Sequence, residues 1–311
     1  MARMALSSPP FAGLRLGAVG NNTPVKVLLA LAPIAIPAAY MIYLQRSLAR
    51  YTAASAGVCP PDSLTTPSSS SSSASSSTTA EPLSDRDIFP SDVRHHPERY
   101  VVARERVTSH LIPVSSLRPE FISKKGNLSG LLDSYLSATM TAFAGTGQGY
   151  FLKRLAAGLE NREGAEEYKR TFEAEYIAAC KFRPGDRVCG VYVVRSRSRS
   201  KGRVVLEVAP PEGWTGPAVE GVLVVGFDLE VAGGRGRRSE REKERERESR
   251  GRSYSSEAVE GDVRFVNETV MWREKDGGVS TPLEGRVGRW LHTLMVRKLV
   301  VKGVQAVTGG R

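Results

Sequence analysis

Cysteine and histidine are scarce in this chain, and no acidic residue precedes Asp62. Three cysteines among 311 residues, Cys59, Cys180 and Cys189, are too few for a disulfide scaffold and match no zinc spacing. The four histidines, His95, His96, His110 and His292, include no pair at metal-ligand spacing. No metal site is therefore expected, and no cofactor. A G-x-S-x-G elbow is also missing, since Gly126-Asn-Leu-Ser129-Gly130 has the wrong spacing. Gly145-x-Gly147-x-Gly149 lies between two helical patterns rather than after a strand, so it reads as an interhelical turn and not as a pyrophosphate loop. Without a catalytic motif the balance leans against an enzyme.

A surplus of negative charge is missing too. The formal charge is +11, yet the excess is local. Arg195, Arg197, Arg199, Lys201 and Arg203 supply part of it, and Arg235 to Arg252 holds nine basic residues against five acidic ones. The rest is close to neutral, so no nucleic-acid partner is expected. RSRSRS and EREKERERESR have the look of splicing-factor tracts, but as hairpin tips they read as solvated loops.

What is present near the start is an uncharged apolar run, Val27–Leu44. As a helix it is about 27 Å long, enough for a hydrocarbon core. Tyr40 and Tyr43 sit near one end as interface aromatics do, with Arg46 and Arg50 beyond. Its length and basic flanks favour an uncleaved, single-pass signal-anchor over a cleaved signal peptide. The acid-poor leader also suits a mitochondrial presequence, but the secretory pathway is preferred. Asn127-Leu-Ser and Asn267-Glu-Thr are possible glycosylation sequons.

The expected organisation is a tail at 1–26, the membrane helix at 27–44, a disordered Ser-rich linker at 45–92, and one α+β domain at 93–311. Ser68–Ser77 cannot bury enough apolar surface to fold. Within the domain, Gly233–Ser256 is a charged low-complexity insertion.

The domain starts helical. Leu131, Leu132, Tyr135, Leu136, Met140 and Phe143 share one helix face, with Asn127 or Ser129 as its cap. A second helix carries Phe151, Leu152, Leu155 and Leu159, and a third carries Tyr168, Phe172, Tyr176, Ile177 and Cys180. The period then drops to two. Strands are expected at Val188–Val194, Arg203–Val208, Val219–Val231 and Asp262–Arg273, joined by hairpins into an antiparallel sheet with one covered face. A capping box, Thr281-Pro282-Leu283-Glu284, announces a long closing helix with Val287, Trp290, Leu291, Leu294 and Met295 facing inward, against Phe227 and Leu229.

Two residues are candidate pocket positions. Asn267 shares a strand face with Val263, Phe265 and Met271, where an amide needs a buried partner or lines a pocket. Trp290 would cover the same face from the closing helix. Asp228, Glu230 and Glu268 read as solvent-face residues.

At GDRVCGVYVV (Gly185–Val194), FVNETVMWR (Phe265–Arg273) and GRWLH (Gly288–His292) the chain resembles uncharacterised membrane-anchored proteins of filamentous fungi, over roughly residues 110–308 without the charged insertions. That resemblance implies no activity. By element order alone, a curved sheet followed by a long helix looks like the helix-grip lipid-binding and cyclase folds, which implies a helix closing a concave sheet over an apolar ligand. Two functions follow as expectations: a membrane-anchored domain binding an apolar small molecule or lipid, or a non-catalytic membrane-anchored interaction or scaffold protein.

Overall fold

The computed structural model describes residues 23–59, 88–122, 128, 130–157, 164–198, 202–211, 214, 219–231, 261–277 and 279–309, with side chains for all of these except 23–31, 34, 156, 157 and 231. The chain divides into two compact units, Met1–Arg46 and Ser47–Arg311. The first contains most of helix α1 (Thr23–Ala49), a single 27-residue helix that runs through Pro33 and Pro37. No helix among the described residues is long and apolar enough to cross a membrane; the first third of the apolar run lies outside the described side chains.

The second unit is α+β. Its antiparallel eight-stranded sheet comprises β1 (Thr52–Cys59), β2 (Tyr100–Ser109), β3 (Ile112–Pro113), β4 (Arg187–Val188), β5 (Tyr192–Ser198), β6 (Arg203–Val208), β7 (Glu220–Val231) and β8 (Gly261–Glu274). The order is β1-β2-β8-β7-β6-β5-β4, with β3 also on β8. Strands β2 and β3 thus pair with the last strand, and β2 and β8 both lie inside the sheet.

Strand β1 corrects the expected linker. Its eight residues pair with β2 from Thr52↔Ser109 to Cys59↔Val102. Only Arg50 and Tyr51 separate it from α1, and the Thr52 hydroxyl donates to the Leu48 carbonyl (2.8 Å). The serine tract therefore lies inside the domain's chain path rather than before it. The tract itself, the Gly233–Ser256 insertion and Asn127 lie outside the described residues.

Among the described residues, six α-helices belong to this unit. After the short α2 (Ser91–His95) come α3 (Leu131–Ala144), α4 (Gly147–Ala157), α5 (Ala165–Arg170), α6 (Ala174–Ala179) and α7 (Arg286–Val307). Helix α3 buries the six expected residues and Thr139 as well. It starts from Gly130 in the left-handed region (φ 75°); Ser129, the other expected cap, lies outside the described residues with Asn127. At the turn into α4 a Cβ on Gly149 would lie 2.4 Å from the Phe143 carbonyl oxygen, so glycine is required there.

The helix expected through Cys180 is broken at Thr171–Glu173. There the Thr171 carbonyl and hydroxyl accept the amides of Cys189 and Gly190 (3.0 and 2.8 Å). Cys189 and Gly190 are themselves left-handed (φ 50° and 73°), which splits the expected strand 188–194 into β4 and β5. None of the three cysteines is in a disulfide.

Both sheet faces are covered, not one. Ile88, Phe89 and Val93 pack on Val102, Val205, Val222, Val224, Val270 and Trp272 of the face opposite α3 and α7. Further along that face lies an ionic row. Glu268, 2% exposed, is held by Arg104 and Arg106, and Asp228 by Arg106 (3.8 Å) and Arg203 (2.6 Å). These carboxylates are enclosed by arginine stems rather than solvated.

Candidate functional site

The inner face of the central strands carries polar groups where a core would normally be apolar. Register places Glu105 of β2 opposite Thr269 of β8, and Val107 opposite Asn267. Helix α7 lies along β2 and against α3, so these groups are sealed between a sheet and two helices. Glu105 is 1% exposed. His292 Nδ1 contacts its Oε2, and the Thr293 hydroxyl contacts its Oε1. That hydroxyl also reaches the Arg289 carbonyl (2.9 Å), but its single proton goes to the stronger, charged acceptor. One turn on, burial pushes the Arg297 guanidinium down while the Glu105 charge opposes that shift. Arg297 is half-buried with Nε unpaired among the described residues.

Asn267 is where the sequence placed it, on the covered face and 1% exposed. The Tyr135 hydroxyl of α3 donates to its Oδ1 (2.8 Å), while the Tyr135 ring stacks on Phe265 with centroids 4.4 Å apart. Burial pushes the Tyr135 phenol well up, with the nearby Thr139 hydroxyl acting the other way. A glycan on Asn267 has no room in this fold, because the amide is enclosed in the core.

Beside these groups is a cavity of ≈ 20 Å³, lined among others by Thr139, Tyr192, Asn267, Thr269 and His292. It is about the size of one water. The Tyr192 hydroxyl has no hydrogen-bond partner among the described residues, and Thr139 Oγ1 is buried without one. Burial pushes the Tyr192 phenol up, with a further contribution from the neighbouring Cys189.

Tyr192 also lines a second, larger space. This pocket of ≈ 170 Å³ is walled by Leu152 and Leu155 of α4, Tyr168, Val191, Val208, Pro210, Pro211, Trp214, Val219 and Met271. Along β8, Asn267 and Thr269 face the small cavity and Met271 faces the large pocket. The polar and apolar spaces therefore adjoin, with Tyr192 common to both.

Trp290 is not part of either space. The buried stripe of α7 is His292, Leu294, Val296, Leu299, Val300, Gly303 and Val307, while Val287 and Leu291 are 71% and 45% exposed. The rotation has a cause. Glu284 accepts the Thr281 amide (2.8 Å) as a capping box does, but α7 begins only at Arg286, after Gly285. The first turn is set by the Arg273–Glu284 pair (2.9 Å), not by Val287 seeking the core. Leu229, expected beneath this helix, is 48% exposed.

The steps of three and four from His292 through Val296, Leu299, Val300, Gly303 and Val307 were a signal for this stripe. Val287, Trp290, Leu291 and Leu294 form an equally regular one. Glu105 carried no local signal, because Arg104 and Arg106 make its strand look solvated.

The remaining large concavity, ≈ 500 Å³, is an open groove bordered by Arg170, Glu173, Glu175, Tyr176, Cys180, Lys181, Arg183 and Asp186. Burial, with Asp186 adding to it and the Phe182 amide opposing, pushes the Cys180 thiol up to about 11. It is protonated near neutral pH and is no nucleophile. Among the described residues no His, Cys, Asp and Glu group is arranged to hold a metal. Asn267 and Glu268, adjacent in sequence, serve opposite faces of the sheet, so Asn267 stands apart from the row in which Arg106 joins Glu268 to Asp228. Comparison with known proteins yields no match: no family model fits the chain, and no curated protein or solved structure is similar to it.

Proposed function

We propose that this chain is a single-pass membrane protein whose α+β domain binds a small apolar molecule or lipid chain. The observation that carries the reading is the apolar pocket between α4, the start of β7 and the end of β8. At ≈ 170 Å³ it compares with an apolar cavity of about 150 Å³ that stays dry and takes up benzene. A small ring or the end of an acyl chain fits that space, and each methylene buried there contributes about 0.8 kcal/mol. The uncharged run Val27–Leu44, continuous within α1, supports the anchor; membrane location in the secretory pathway and likeness to the fungal membrane-anchored proteins belong to the same proposal. The helix-grip comparison is supported by a C-terminal helix laid on the sheet, although α7 covers the β1–β2 side while the pocket opens beside α4.

Two measurements test this. The full-length chain should resist carbonate extraction and retain its N-terminus; a soluble protein trimmed near Gly57 refutes the anchor. Native mass spectrometry from detergent should release a bound small molecule, and Leu152→Trp, which fills the pocket, should abolish it without lowering stability. A second reading, an interaction or scaffold protein, is favoured by the exposed pair Val287 and Leu291, one turn apart on α7. It gains if Leu152→Trp changes nothing and a charged substitution at Leu291 abolishes a protein contact.

A further inference from the structure

Buried polar groups are almost always paired, so several unpaired ones around one cavity call for an occupant. Thr139 Oγ1 is buried without a partner, and among the described residues the Tyr192 hydroxyl, the Asn267 amide nitrogen and the second ring nitrogen of His292 make no hydrogen bond. All four residues line the ≈ 20 Å³ cavity. The space admits one oxygen atom and its hydrogen, with two to four polar partners to receive it.

We infer that this cavity recognises a single hydroxyl or carbonyl oxygen of the molecule whose apolar part fills the adjoining pocket. The inference rests on the apolar-ligand reading above. Tyr192 is the shared wall, and the β8 side chains pass from Asn267 and Thr269 to Met271 across the junction. The ligand is uncharged. Glu105 does not line the cavity, and its charge is already met by His292 and Thr293. No carboxylate or ammonium-bearing side chain lines the cavity to balance an ionic ligand, and an ion sealed there without a partner is disfavoured. Tyr192 and Thr139 are the specificity-determining residues, since each has a hydroxyl free to exchange a hydrogen bond with that oxygen.

Benzene, phenol and benzoate are suitable probes for the full-length protein in one detergent, with partition into the micelle corrected by a protein-free control. Phenol should bind about tenfold more tightly than benzene, the value of one buried hydrogen bond, and benzoate at least tenfold more weakly than phenol. Tyr192→Phe and Thr139→Val should each shrink the phenol-to-benzene ratio severalfold, and Thr139→Val, which lies outside the apolar pocket, should leave the benzene affinity within twofold. The unchanged benzene affinity also shows that the variant is folded. If benzene itself fails to bind, the apolar-ligand reading is wrong and this inference goes with it. If benzene binds and phenol gains nothing, or the ratio survives both substitutions, the cavity holds a structural water only and the inference is overturned.

Discussion

Gly303→Ala tests the seating of α7 on α3, on which the whole polar core depends. A Cβ at Gly303 would lie 2.4 Å from Cε2 of Tyr135 and 2.7 Å from the Thr139 hydroxyl. Neither neighbour can retreat. The Tyr135 ring is 0% exposed, stacked on Phe265 and tied through its hydroxyl to Asn267. The helices must separate, at the cost of about 1–3 kcal/mol that overpacking usually brings. Against this, alanine improves helix propensity by about 1 kcal/mol. So close an approach calls for the upper part of that range, about 2–3 kcal/mol, and the net should be a loss of about 1–2 kcal/mol, read as a lower denaturation midpoint with an unchanged slope. Gly147→Ala is the control: it also sits in a helix, but its Cβ meets nothing within 4 Å, so it should be neutral or stabilising. If Gly303→Ala matches or exceeds the parent in stability, α3 and α7 are not in contact at this point.

Tyr135→Phe leaves the Asn267 carbonyl without its donor and should cost about 1–3 kcal/mol in denaturant unfolding; no change would mean that the amide is otherwise satisfied. Replacing Gly233–Ser256 by a short turn should leave thermal stability within a few degrees, because β7 and β8 already pair up to Val231↔Gly261; loss of cooperative unfolding would refute this. Burial works against the Glu284 carboxylate, but the Arg273 guanidinium and the Thr281 amide outweigh it and hold the group below the usual carboxylate range. A depressed carboxyl stabilises the fold above its unfolded pKa, and that contribution disappears as pH falls through the folded value. Glu284→Gln should therefore lower stability near neutrality and flatten the acid limb, the two curves converging as pH falls below the folded value. Deleting Thr52–Cys59 should leave residues 93–311 poorly folded by near-UV circular dichroism, since β2 loses its outer partner beside Glu105.

The parts of the fold legible in the sequence are those whose side chains report their own surroundings. Leu131 through Phe143 is one-sided at helical period, and β7 and β8 alternate, so their faces follow residue by residue. Strand β2 has the opposite property. Arg104, Glu105 and Arg106 suit a solvated stretch, and only pairing with β8, more than 150 positions away, encloses the carboxylate and directs the arginines to Glu268. Strand β1 is small and weakly apolar, and its identity as a strand comes wholly from β2. Asn267 could be found because an amide among Val263, Phe265 and Met271 breaks a pattern. His292 could not be separated from Trp290, since the two stripes of α7 are equally regular and the Arg273–Glu284 pair decides between them.

Strand β1 leaves the sheet at Cys59, and the chain returns at Ile88 after a connection of 28 residues. Twenty-eight residues can reach a neighbouring copy as well as their own sheet, so chain length alone does not dictate which sheet β1 must join. Its place at the edge beside β2 is then a contest of effective concentration between its own domain and that of a neighbour. At low density each copy completes itself. Where copies crowd together, the same eight-residue register can be filled reciprocally, giving strand-swapped dimers without any new contact surface.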